Sequence, residues 1–234
     1  MKTFINYVEG NKKSSSAVNQ LTKSLDAHGW NYELVPGVTP ATLDDNEFPW
    51  QLLDDGRLHR WSERFPAKFT IKKCCFFNHL RFAQKVLAEN EPMIFLEHDV
   101  VALGRQPENI DFEDYCFLTM QSAFSPPSIL NKKFKKWERK LKEFVPEDQP
   151  VYDFPPDYPL IYQKNNVYNG GMLTPGTSAY VLSPSGAAKL LESAEKNGLE
   201  QSDYSYNSNV MRMQAYYPSL FALQKHNPGL SNKL

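Results

Sequence analysis

Met93-Ile94-Phe95-Leu96-Glu97-His98-Asp99-Val100-Val101 decides how the chain is read. An apolar run ends abruptly in two carboxylates that flank a histidine, and apolar residues then resume. A short, unbroken apolar run reads as a strand of a parallel sheet covered on both faces. Glu97 and Asp99 then fall at or just past its carboxyl end, the edge at which open α/β sheets bind ligands. Two acids one residue apart, partly removed from water, call for a compensating charge. A divalent cation is the simplest partner, because hard cations take oxygen ligands and often carry substrate phosphates too; a solvated strand-end pair with no ligand is the plainer alternative. On an extended chain His98 points away from both acids and reads as structural.

Working outward, residues 3–8 read as a first strand and residues 30–35 as another, with a helix between them. That helix starts in the Ser14-Ser15-Ser16 cluster, one serine serving as N-cap, carries Val18, Leu21 and Leu25 on one face, and stops near Gly29. A β-α-β unit of this kind gives a parallel pair with a right-handed crossover. Residues 39–68 are irregular, with one short helix expected around Leu52. Residues 72–89 read as a helix with Cys75, His79, Phe82, Val86 and Leu87 on one side, and Asn90-Glu91-Pro92 ends it. His79 on that side reads as a hydrogen-bonded packing residue. Downstream, residues 115–120 and 177–182 read as strands and 183–197 as a helix, with Ser183 and Pro184 at its start and Gly198 at its close. Residues 146–162 read as a Pro- and Tyr-rich loop, and residues 219–223 carry strand character. Strands alternating with helices predict an α/β fold with a mixed, mostly parallel sheet flanked by helices. Neither GxGxxG nor GxxxxGK[ST] occurs, which leaves a dinucleotide fingerprint or P-loop without support.

The 234 residues suit a single domain, 1–234, and 41% hydrophobic with 13% aromatic residues is enough for a sizeable core. A net charge of -1 rules out a uniformly polyanion-binding surface. Charge is concentrated instead in a helical insertion at about 128–145, where seven basic and two acidic side chains lie between Lys132 and Glu143. Phe134, Trp137 and Leu141 recur there at helical spacing. Such a helix is ordinarily a solvated face; the sharper reading is an acceptor-binding arm made of Lys132, Lys133, Lys136, Trp137, Arg139 and Lys140, suited to an anionic glycan, a lipid surface or DNA. Three cysteines without a CxxC spacing predict reduced thiols. The polar N-terminus reads as no signal peptide, and no apolar stretch reaches the ~20 residues needed to span a bilayer. A cytoplasmic protein without a transmembrane segment is the expectation.

Several segments, in order, resemble glycosyltransferase family 25, the group of lipooligosaccharide and collagen galactosyltransferases. Phe4-Ile5-Asn6-Tyr7 resembles its opening strand, and Cys75-Phe76-Phe77-Asn78-His79-Leu80 its Gly-Cys-x-x-Ser-His-Leu helix start. Phe95-Leu96-Glu97-His98-Asp99-Val100 resembles its metal motif. Residues 176–183 and 186–191 resemble its Gly-Thr-x-Ala-Tyr strand and following helix, and residues 218–231 its terminal segment. Cys74 departs from a usual glycine and Asn78 from a usual serine, and the basic insertion has no obvious counterpart.

The resemblance implies a GT-A-type, Rossmann-like nucleotide-binding domain that uses a nucleotide-sugar donor, a UDP-sugar being favoured, with Mn2+ or Mg2+ as cofactor and inversion at the sugar. It implies that Asp99 holds the metal and diphosphate, that Glu97 supports it, and that His226 in the tail is a further metal ligand, against the plainer reading of a surface histidine. Donor contacts are expected from Asn6, Tyr7, Asn78, Glu97 and Asp99, with Gly170 and Gly171 in a loop able to approach closely. Asp203 is the first choice for the catalytic base and Glu200 the second, on the loop beyond Gly198. A helix-capping or solvated acid stays open for both. The acceptor is a saccharide or glycolipid, or a hydroxylated DNA base. The rival is a non-catalytic module that binds a nucleotide sugar or nucleic acid; a metal-dependent hydrolase has less support.

Overall fold

Along β3 (Met93–Glu97) successive side chains enter two different cores, as the two-residue period of a strand requires. Met93 and Phe95 join one, with Phe4, Tyr115, Phe117, Tyr180 and Leu182. Ile94 and Leu96 join the other, with Ile5, Cys116, Ala179 and Val181. The computed structural model describes residues 1–119, 150–153 and 176–224.

Seven strands make the central sheet: β1 (Lys2–Tyr7), β2 (Tyr32–Pro36), β3, β5 (Tyr115–Phe117), β6 (Val151–Asp153), β7 (Ala179–Leu182) and β8 (Met213–Tyr216). Their order is β2-β1-β3-β7-β5-β8-β6. β1 pairs in parallel with β2 and β3, and β5 with β8, while β7 and β6 run against their neighbours. Five strands therefore point one way and two the other, so the mixed and mostly parallel expectation holds. β4 (Val100–Ala102) leaves this sheet and pairs with β9 (Phe221–Leu223).

Helix α1 (Lys12–Ala27) covers one face with Val18, Leu21 and Leu25. Helices α3 (Pro66–Glu89) and α4 (Pro184–Asn197) cover the other. Two sheet faces, each closed by helix, give the three-layer α/β arrangement that buried strands demand. Among the described residues no helix is long and apolar enough to cross a membrane. The three cysteines are free, and burial pushes the Cys74 thiol up to about 11 and the Cys75 thiol up to about 12.

Three local expectations are corrected. The N-cap of α1 is Asn11, not a serine: its side chain accepts from the N–H groups of Lys13 and Ser14, while Ser14 Oγ accepts from Val8 N–H at 2.9 Å. α3 begins six residues earlier than residue 72, with Pro66 in its first turn, a position that tolerates a missing N–H. Leu52 lies in no helix. It bridges Leu199 in parallel, and the short helix, α2 (Arg57–Arg64), lies further on. Gly198 permits that bridge: its φ is 104°, and an added Cβ would lie 2.7 Å from Leu53 N. β6 and β8 went unread; β6 falls within the segment expected to be loop.

Asp114 ties α4 to the sheet. Its buried carboxylate accepts from Ser185 Oγ at 2.8 Å, Lys189 Nζ at 2.5 Å and Arg212 N–H at 2.8 Å. Burial alone would raise this carboxyl, but the bonds from Lys189, Arg212 and Ser185 outweigh it and hold it below its ordinary value. A carboxyl held lower in the folded than the unfolded chain adds stability above its unfolded pKa of about 3.9, and that stability is lost as pH falls through the folded value. Asp114→Asn is expected to cost about 2 kcal/mol in urea unfolding at pH 7, with the gap to wild type narrowing below about pH 4. A gap that does not change with pH would show that the charge contributes nothing.

Candidate functional site

The parallel half of the sheet brings Asn6 and Glu97 side by side. They are Cα partners in the last rung of β1 and β3, and the strand alternation places both on the α3 side. Gly37 follows β2, with its N–H on Tyr7 O at 2.8 Å, and Asn78 of α3 reaches over, its Oδ1 accepting from Val38 N–H at 2.6 Å. A Cβ at Gly37 would lie 2.8 Å from Asn6 Oδ1 and 3.2 Å from Asn78 Nδ2, so a larger residue there would displace both amides. These groups open onto a cavity of about 290 Å³. Its walls are Val38, Thr39 and Pro40 after β2, Ile71, Cys74, Cys75, Asn78 and His79 on α3, and Glu97, His98 and Asp99 at the end of β3. It lies at the carboxyl edge of the parallel strands, where the acid motif was expected to fall.

Its electrostatics are those of enclosed acids. The Glu97 carboxyl is pushed well above its ordinary range, by burial first and then by the charges of Asp99 and Asp203, with Lys72 pulling the other way. Asp99 is also raised, by burial, against the opposing effects of His98 and its own main-chain N–H. Asp99 Oδ1 is buried and has no hydrogen-bond partner among the described residues. An orphaned carboxylate oxygen of this kind is costly unless a cation or donor meets it. Among the described residues no three His, Cys, Asp or Glu side chains form a complete metal-binding group. Two carboxylates with an open remainder still fit a hard cation that keeps water or substrate oxygens, the usual mode for Mg2+.

The turn that carries Asp99 is held from a distance. Gln224, just after β9, donates its main-chain N–H to Asp99 O at 2.8 Å. Its Nε2 lies 2.9 Å from Ala17 O, 3.1 Å from Val100 O and 3.2 Å from His98 O. One amide thus braces the main chain on both sides of Asp99 and ties it to α1. His98 lies in this turn, not in a regular strand, and it lines the cavity instead of pointing away. Burial lowers its pKa, with Asp99 and the Asn6 main chain opposing.

The remaining expected residues divide clearly. Asp203 lies in the first turn of the short helix α5 (Ser202–Ser205), where Gln201 Nε2 donates to Oδ2 at 2.6 Å and Thr177 Oγ1 to Oδ1 at 3.3 Å. Its charge reaches Glu97 and Cys75, so the fold does bring it towards the acid motif. Glu200 is fully buried and occupied: Oε2 accepts from Arg57 N–H at 2.6 Å, and Oε1 from Leu58 N–H at 3.0 Å and Gln201 N–H at 2.6 Å. It caps the start of α2, whose own N-cap, Gly56, has no side chain to do so. The capping reading therefore fits Glu200; Asp203 does not line the cavity. Tyr7 packs with the α1-side core and is not part of the cavity wall. His79 is buried, its Nδ1 2.8 Å from Tyr180 OH, and burial pushes it down to about 3, so it stays neutral as a packing residue. Gly170, Gly171, His226 and the basic residues Lys132, Lys133, Lys136, Trp137, Arg139 and Lys140 lie outside the described residues.

Two contributors went unread in the sequence. Gln224 gave no local signal, because its partners are up to 207 positions away. Lys72 did give one: it lies three and seven residues before Cys75 and His79, on a helix stripe that is otherwise apolar, and it is 8% exposed. No protein-family model matches the chain, and no curated protein does.

Proposed function

We propose that the protein is a metal-dependent glycosyltransferase of the GT-A type, taking a sugar from a nucleotide-sugar donor to a hydroxyl acceptor. The observation that carries this reading is Asp99: a buried carboxylate oxygen without a hydrogen-bond partner among the described residues, at the carboxyl edge of parallel strands, beside a second acid and a cavity. The resemblance of the flanking segments to glycosyltransferase family 25 supports the same choice.

Asn6 and Asn78 present amides at the cavity wall suited to hydrogen bonds with the donor. Asp99 would hold Mn2+ or Mg2+, with Glu97 beside it, and the bound ion would offset charge on the departing diphosphate. Asp203, held by Thr177 and Gln201, takes the proton of the acceptor hydroxyl. The hydroxyl oxygen bonds to the anomeric carbon as the bond to the diphosphate oxygen breaks, its electron pair leaving with the nucleoside diphosphate. Attack opposite the leaving group inverts that carbon. The acceptor is a saccharide or glycolipid, or a hydroxylated DNA base, and the basic segment near residues 132–140 is its proposed contact.

A melting screen of nucleotide sugars with and without manganese tests the donor site. At a hundred times its Kd a ligand stabilises the fold by about 2.7 kcal/mol, a rise of roughly 5–10 °C for a chain of this size. One nucleotide sugar is expected to produce it, more strongly with manganese. A melt that none of them moves removes the reading.

A further inference from the structure

We infer that the corner between α2 and α3 is a docking surface for a membrane leaflet rich in anionic phospholipid. Residues 63–68 are all exposed, and Phe65 at the corner is 57% exposed, the most of any large hydrophobic side chain among the described residues. Its main chain belongs to both helices: its N–H donates to Trp61 O at 2.8 Å, and its carbonyl accepts from Phe69 N–H at 2.9 Å. The exposed ring therefore stands on a turn whose position two helices fix.

Cations surround it. Arg57, Arg60, Trp61 and Arg64 recur at three- and four-residue spacing and share one stripe of α2, where the like charges repel. Lys68 lies in the first turn of α3, which holds no acid and where the helix dipole opposes a cation. The guanidinium carbon of Arg57 lies 4.7 Å from the centroid of the Trp61 ring and Lys68 Nζ lies 4.6 Å from it, so one indole joins the charges of the two helices. Among the described residues Arg60, Arg64 and Lys68 make no ion pair with a carboxylate. Asp54 and Asp55 precede the opposite end of α2, a helix length of about 12 Å away. An anionic partner relieves this repulsion. A leaflet also takes up Phe65, whose ring enters the acyl boundary while the cations meet lipid phosphate. Duplex nucleic acid meets the cations but offers no apolar layer to the ring. Ile71, three residues beyond Lys68 on α3, already lines the cavity, so docking here brings that wall close to the leaflet, as an acceptor carried on a lipid requires.

Co-sedimentation with vesicles of phosphatidylcholine alone, and of phosphatidylcholine mixed with phosphatidylglycerol, tests this for wild type, Phe65→Ser and the triple variant Arg60→Gln, Arg64→Gln, Lys68→Gln. Wild type is expected to bind only the mixed vesicles, and more weakly as salt is raised. Each cation near an anionic surface contributes about a fivefold factor, so the triple variant should bind about 100-fold more weakly. Phe65→Ser should lose about tenfold at every salt concentration, as removal of an inserted ring does. All four positions are exposed, so melting temperatures should stay within about 2 °C of wild type. Should the triple variant melt early, Arg64→Gln with Lys68→Gln replaces it, with an expected loss of about 25-fold. A wild type that binds neither vesicle overturns the inference, and so does equal binding by wild type and the charge variant. Full binding by Phe65→Ser, or tighter binding of wild type to a single-stranded oligonucleotide than to the mixed vesicles, also overturns it, by making the corner a general polyanion site. The donor site is read separately by the nucleotide-sugar melt and stands or falls on its own.

Discussion

On the proposed function, Asp99→Ala is expected to abolish turnover and to leave the melting temperature at or above that of wild type. The two effects separate because Asp99 is stabilising for a ligand and not for the fold. Its carboxyl is raised by burial, and Oδ1 has no partner among the described residues. The change gives up the bond from its own main-chain N–H and relieves a buried carboxylate. The net change in unfolding free energy is expected to lie within about 1 kcal/mol, on the stabilising side. The turn itself persists, because Gln224 holds it through the carbonyls of His98, Asp99 and Val100. Turnover is another matter: the carboxylate proposed to hold the metal at the leaving group is gone. A loss of about 1000-fold or more, roughly 4 kcal/mol of transition-state stabilisation, is expected. Asp99→Asn keeps the shape without the charge and should be nearly as inactive. Activity within tenfold of wild type in either variant would remove Asp99 from the mechanism.

Glu200→Ala gives the opposite pattern. It strips three main-chain N–H groups, those of Arg57, Leu58 and Gln201, of their acceptor, the last two buried and the first part-buried. Each buried unsatisfied group costs on the order of 1–3 kcal/mol, and some relaxation is available, so about 4 kcal/mol is expected. For a chain of this length that lowers the melting temperature by roughly 8–16 °C. The loss concentrates at the start of α2, the neighbouring bridge between Leu52 and Leu199, and the contact of Arg57 with Tyr204 OH at 2.8 Å. Glu200→Gln keeps one accepting oxygen and should cost about half as much. Turnover per folded molecule should survive in both. A protein that melts normally but no longer turns over would return Glu200 to the role of base.

Much of this was legible because it is local. An unbroken apolar run ending in acids can be placed on a strand end from its period and its boundary, and β3 carries Glu97 where that reading put it. The β1-α1-β2 unit and α4 followed from apolar spacing and from their terminal glycines. The misses share a cause, which is that their signals are short or distant. β6 and β8 have three and four residues and acquire their identity only by distant pairing, β6 with β8 across more than sixty positions and β8 also with β5. Leu52 was given a helix because its partner, Leu199, cannot be seen from its neighbours. Glu200 and Asp203 read alike as loop acids, and only the third dimension shows one closed off by main-chain N–H groups and the other held by the side chains of Thr177 and Gln201. Lys72 is the exception, a charged residue on a mostly apolar stripe that local sequence alone marks out.

The central claim is that the cavity beside Asp99 binds a nucleotide sugar and cleaves it. The most direct measurement is release of free nucleoside diphosphate by purified wild type, followed for each common nucleotide sugar with manganese present. The account predicts release from one donor class, dependent on manganese and lost in Asp99→Ala. No release from any nucleotide sugar, or release that Asp99→Ala retains in full, would contradict it.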